Sequence, residues 1–195
     1  MRTASGKKLL TSAEYEGLVE QGVLHEDDRV ELIEGEVIPL SPIGPPHGGV
    51  VICLANVLIP LLAGRAVVGV QTSTRLSDIT EPQPDLLILR PRGDFYTTAH
   101  PLPEDIFCLI EVSDSSLAYD RGRKAPLYAQ AGVPETWLFN LPEEFLEVYR
   151  EPGPRGYASV TTLRRCDRVA FAAFPDLVIE VSDLLPLLPL LPQLQ

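Results

Sequence analysis

The sequence predicts an α+β domain: a mixed β-sheet with a long apolar helix and extra β-hairpins. Three observations predict it. The runs Leu86-Leu-Ile-Leu89 and Ile106-Phe-Cys-Leu-Ile110 are short and rich in Ile and Leu, as buried strands are. The stretch 48–62 is almost uninterruptedly apolar, with Asn56 its one strongly polar residue, and at that length it reads as a central buried helix. Polar–apolar alternation at 29–40, and β-prone runs at 133–149, add hairpins.

Composition bounds the rest. A chain of 195 residues suffices for one domain with a real core. The whole chain is therefore read as one domain, with residues 1–10 as a loose arm and 184–195 as a Leu/Pro-rich tail. Hydrophobic content of 45% and charged content of 22% are ordinary for a globular protein. The net charge of -11 counts against a broad basic nucleic-acid surface but leaves room for a local basic groove. Cys53, Cys108 and Cys166 fit no metal spacing; Cys53 and Cys108 lie in apolar runs and read as buried, reduced thiols. A cytoplasmic protein with no membrane segment is the expectation, because neither a signal peptide nor a membrane span is visible.

In chain order, Thr11-Ser-Ala-Glu14 is a capping-box pattern, so a short helix runs to about Gln21 and stops at Gly22. Arg29–Leu40 turns at Glu34-Gly35. Its glutamates, Glu31, Glu34 and Glu36, read as a solvated face. Glu34, next to the turn, is the one singled out for an active-site role. A proline-rich loop then leads to His47 at the first turn of the apolar helix. His47 either caps and packs there or meets a phosphate at the helix N-terminus. Residues 66–76 read as a strand whose polar face, Gln71, Ser73 and Arg75, lines a cleft. A long rim loop spans 90–104. Asp120 reads as the N-cap of a helix that places Asp120, Lys124 and Tyr128 on one stripe, with Pro126 in its early turns and Gly132 as its stop. Arg164, Arg165 and Arg168 form either a solvated edge or a phosphate-facing patch. Asp176 and Glu180 sit on one face of a single strand, roughly 13 Å apart by strand rise, too far for one ion.

The chemistry concentrates between Pro84 and Lys124. Asp85 and Glu111 each stand in an apolar run, where an ionised carboxylate is costly unless it meets a cation, a metal or several donors. On neighbouring strands they could share one divalent ion, with Lys124 supplying nearby positive charge. That set suits metal-assisted phosphodiester hydrolysis. A buried ion-pair network without activity is the other reading of the same residues.

The ordered words Val30-Glu-Leu-Ile-Glu-Gly-Glu36, Ser41-Pro42 with His47, Pro84-Asp85, Ile110-Glu-Val-Ser113, Asp120 with Lys124 and Tyr128, and Ala131-Gly-Val-Pro-Glu135 with Trp137 span about residues 28 to 140. Together they resemble the PD-(D/E)xK nuclease superfamily and, within it, the Uma2 endonuclease family. The resemblance implies a restriction-endonuclease-like fold, a mixed sheet flanked by helices. It implies cleavage of DNA with Mg²⁺ or Mn²⁺, with Asp85 and Glu111 as metal ligands and Lys124 as a displaced catalytic lysine, since Ser113 stands where the usual lysine would be. Glu34 and His47 match further polar positions near the family's site. Thr136 and Asn140 depart from the tyrosine and aspartate of the family pattern. The competing expectation, favoured by the net charge and the apolar tail, is a catalytically inactive dimeric module that binds nucleic acid or protein. A homodimer is expected on either reading.

Overall fold

The computed structural model describes residues 8–25 and 28–186. Most of the expected N-terminal arm and of the Leu/Pro tail lies outside the described residues. Helix α1 (Ser12–Glu20) opens on the expected capping box: Thr11 Oγ1 accepts from the Glu14 amide at 3.2 Å, and Glu14 Oε2 accepts from the Thr11 amide at 3.0 Å. It ends before Gly22, which takes φ +68°. Strands β1 (Val30–Ile33) and β2 (Glu36–Pro39) pair antiparallel about Glu34-Gly35, both at positive φ. The hairpin stands apart from the main sheet and is tied to the chain before Asp85 by a bridge between Leu32 and Glu81.

Helix α2 (Pro45–Leu61) starts earlier than the apolar run suggests, because Pro45 fits a first turn that has no amide partner to lose. It is not buried on all sides. Val50, Val51, Leu54 and Leu58 face the core, while Ile52 and Ile59 are 64% and 51% exposed. One helix laid on a sheet can bury only one of its faces.

Six strands form the main sheet, in the order β3 (Val67–Val70), β4 (Leu86–Leu89), β5 (Ile106–Ser113), β6 (Glu135–Asn140), β7 (Phe145–Gly153), β8 (Gly156–Leu163). Only β5 and β6 are parallel. β3 is shorter than the expected strand over 66–76. Gln71 takes φ +48° and ends it; Arg75 pairs with Glu16 and Glu81 and lines a second cleft with Glu16 and His100, one that Gln71 and Ser73 do not line.

A parallel neighbour requires a crossover. It is supplied by α3 (Leu117–Tyr119), a π-helical turn at Asp120–Lys124, and α4 (Ala125–Gln130). Asp120 is therefore inside the helical segment and not its N-cap. The Ala125 amide reaches back five residues to the Asp120 carbonyl. Pro126 follows at the shifted register, in the first turn of α4, where its missing amide costs little.

The sheet is covered on both faces. α2 and α5 (Val181–Leu184) pack over Leu86, Ile88, Cys108, Ile110 and Val112; Tyr128 of α4 packs over Leu87 and Leu109. A bulge in β5 shifts the register between Ile88 and Leu89, and Phe107 sits edge-on to Phe174, on the α2 side, not with Leu109 and Glu111 as simple alternation predicts. Strands β9 (Arg168–Phe171) and β10 (Phe174–Glu180) form their own pair, and Phe171 stacks on Trp137 at 4.1 Å. Cys108 is buried, Cys53 half-buried and Cys166 exposed. Among the described residues no helix is long and apolar enough to cross a membrane.

Candidate active site

A cleft of about 380 Å³ opens between β2 and the loop after it on one side and residues 114–124 on the other. Asp85, Glu111, Lys124 and His47 all line it. Asp85 directly precedes β4. The register that pairs Leu86 with Ile110, continued by one residue, sets Asp85 beside Glu111. The two carboxylates thus come to one place although 26 residues separate them (111 − 85). Asp85 Oδ2 accepts from the Val112 amide at 2.8 Å and meets His47 Nε2 at 3.2 Å. Both contacts fall on one oxygen, which leaves Oδ1 to the cleft.

Lys124 is 4% exposed, and its Nζ lies 2.8 Å from Glu111 Oε1 and 3.2 Å from Glu31 Oε2. Tyr128 donates its hydroxyl to Glu111 as well. Burial pulls the Lys124 ammonium down, but Glu111, Glu31 and Asp120 outweigh it and hold the group protonated. Burial pushes Glu111 up to about 8, against Lys124 and with the help of Asp120 and Asp85. Asp120 does not grip Lys124. Its Oδ2 accepts from Ser113 and Ser116 hydroxyls, each at 2.6 Å. Ser113, beyond Glu111 on β5, thus fixes Asp120.

Glu31, not Glu34, is the glutamate of the hairpin that enters the cleft. Glu31 is 1% exposed, and its Oε1 is buried with no partner. Glu34 sits on the turn at φ +51°, and its carboxylate meets Arg123 Nε at 3.2 Å, outside the cleft lining. A signal for Glu31 was present in the sequence: Val30-Glu-Leu-Ile33 embeds an acid in an apolar run, as the Asp85 and Glu111 runs do. Tyr119 also lines the cleft, and its hydroxyl, like His47 Nδ1, is buried without a partner.

Other candidates lie elsewhere. Arg168 pairs with Glu180, Asp176 with Arg65, and Arg164 lies over Phe145; none of them lines the cleft. Glu16, Glu81 and His100 bring ligand atoms within 4.8 Å of one another, but Arg75 already holds both glutamates.

Residues 13–182 match the family Uma2, described as "Putative restriction endonuclease". The chain belongs to the Uma2 family. A solved structure titled a "putative nuclease belonging to DUF820", from Anabaena variabilis, is similar in fold to this Uma2 chain. Its TM-score is 0.67 at 18% identity, covering 86% of this chain and 96% of that one. No curated protein matches. In this Uma2 member Thr136 Oγ1 bonds the Tyr157 hydroxyl at 2.8 Å, and Asn140 Oδ1 accepts from the Glu143 amide at 3.3 Å.

Proposed function

We propose that this Uma2 protein is a divalent-metal-dependent endonuclease that hydrolyses DNA phosphodiester bonds. The observation that carries the reading is the meeting of Asp85, Glu111 and Lys124 in one cleft. The unpartnered buried oxygen of Glu31 and the open Oδ1 of Asp85 support it, since hard carboxylate oxygens suit Mg²⁺ or Mn²⁺. Asp85 and Glu111 would hold the ion, which would supply a Lewis acid and a water acidified toward neutral pH. Glu31 and Glu111 orient Lys124, so that its fixed charge faces the place where a phosphate gains negative charge during attack. His47, steadied by Asp85 through Nε2, keeps Nδ1 for a phosphate oxygen at the start of α2. The protein is further proposed to act as a homodimer. Support comes from the exposed Ile52 and Ile59 of α2 and from the uncharged edge strand β8.

The test is cleavage of plasmid, linear duplex and single-stranded DNA with Mg²⁺ or Mn²⁺, comparing wild type and Glu111→Gln. Metal-dependent cutting by wild type and its loss in the variant are expected. No cutting of any substrate under any metal would leave the second reading, a binding module that keeps the fold. The engagement of Lys124 by two carboxylates favours that reading. A site of that kind would not need to hold a metal, so calorimetric titration with Mn²⁺ separates the two.

A further inference from the structure

We infer that the cleft receives a single unpaired strand of nucleic acid and not a duplex. The inference rests on the nuclease reading and adds the form in which the substrate arrives. The cleft lining carries five carboxylates, Glu31, Asp85, Glu111, Asp114 and Asp120, against the Lys124 ammonium and the His47 ring. Both of those already face carboxylates. Across the chain, nine of the sixteen lysines and arginines are in ion pairs within the described residues. Arg123, which lies over the Tyr119 ring, is one of them. Duplex DNA carries one phosphate charge per about 1.7 Å of axis and is normally held by a row of lysines and arginines. A chain of net charge -11, with more than half of its lysines and arginines already paired to its own carboxylates, repels that charge density more than it repels a single strand.

The walls have chemistry for bases. Ile38, Leu40, Pro42 and Ile43 form one side, with Ile43 42% exposed, and Tyr119 stands on the other. Base faces are available to such groups only in an unpaired strand, because a duplex covers them by stacking. The buried, unpartnered Tyr119 hydroxyl and His47 Nδ1 offer hydrogen bonds to a phosphate or a base edge deep in the same cleft.

The experiment uses the full chain and one labelled 20-nucleotide DNA strand, alone and annealed to its complement. Binding is read by fluorescence anisotropy in Ca²⁺ and cleavage in Mn²⁺. The single strand should bind and be cut at least about tenfold better than the duplex. Tyr119→Ala should weaken single-strand binding by about 5- to 100-fold, the range expected for one lost stacking partner, while Tyr119→Phe keeps most of it. Ile43→Asp, on an exposed loop where folding is not at stake, should weaken single-strand binding as well. Equal or better duplex binding and cutting would overturn the inference and leave the nuclease reading standing. Unchanged single-strand binding in both Tyr119→Ala and Ile43→Asp would also overturn it. Failure to bind or cut either form would overturn both.

Discussion

Lys124 has almost no freedom: its ammonium is buried between Glu31 and Glu111, and Tyr128 holds the same oxygen of Glu111. A charge fixed in this way needs no reorganisation when a phosphate becomes more negative, which is where preorganised groups gain their effect. Lys124→Met should lower single-turnover cleavage by about 10²–10³-fold. Mn²⁺ binding followed by calorimetry should persist, because Asp85 and Glu111 are untouched. Full cleavage in that variant would make the network a structural ion pair. His47 is a second residue with a readable state. Its hydrogen bond to Asp85 raises its pKa, burial opposes that, and the charges of Asp85 and Asp114 add to the rise. A histidine raised in the folded state contributes stability that is fully present below the unfolded value of about 6.5 and is lost as pH rises through the folded value. An NMR titration without metal should place the His47 ring above about 6.5, and Asp85→Asn should bring it back down. An unmoved titration in Asp85→Asn would show that the bond does not set it.

Among the elements, the β1–β2 hairpin matters most to the site, because it delivers Glu31. Its turn depends on Gly35, at φ +80°, where an added Cβ would come within 2.8 Å of Leu9 Cβ. Left-handed backbone costs a residue with a side chain about 1–2 kcal/mol before any clash. Gly35→Ala should therefore lower unfolding stability by at least about 1 kcal/mol, measured by urea denaturation. It should weaken activity more than a surface change of equal size, since the hairpin and Glu31 shift together. The crossover shows the same dependence of site on element. The π turn at Asp120–Lys124 turns both Asp120 and Lys124 inward, at 5% and 4% exposure. Asp120 can then take two serine hydroxyls while Lys124 reaches across to β1.

At the scale of the whole molecule, metal binding and self-association should both be visible without any substrate. An ion that binds only the native state stabilises it by about 2.7 kcal/mol at a hundred times its Kd. For a chain of this size that is a rise in Tm of roughly 5–10 °C with Ca²⁺ or Mn²⁺. Asp85→Asn should abolish the rise; an unchanged rise would place the ion elsewhere, for instance at Glu16, Glu81 and His100. Sedimentation at micromolar concentration should show a species of twice 21.4 kDa. A lone 21.4 kDa species would count against the dimer and leave Ile52, Ile59 and the β8 edge as plain solvent-facing surface.

By itself the sequence determined the family, the mixed α+β class and the places where charge meets apolar surroundings. Those signals are local: a carboxylate inside Leu86-type runs needs compensation wherever the run ends up, and a capping box or a Glu-Gly turn acts over four residues. It did not determine which glutamate of the first hairpin turns inward. Glu31 carries the hint of its apolar run, yet alternation along the hairpin leaves it as free to face solvent as Glu34 and Glu36, and the contact between Glu31 and Lys124, 93 residues apart (124 − 31), decides it. Nor did it show the outward face of α2, because an all-apolar helix carries no mark of the side its sheet will cover. The bulge at Phe107 and the π turn at Asp120–Lys124 were hidden for a related reason. Each alters a strand or helix period by one residue, and what decides such a step is packing against the neighbouring strands and the opposite face of the sheet.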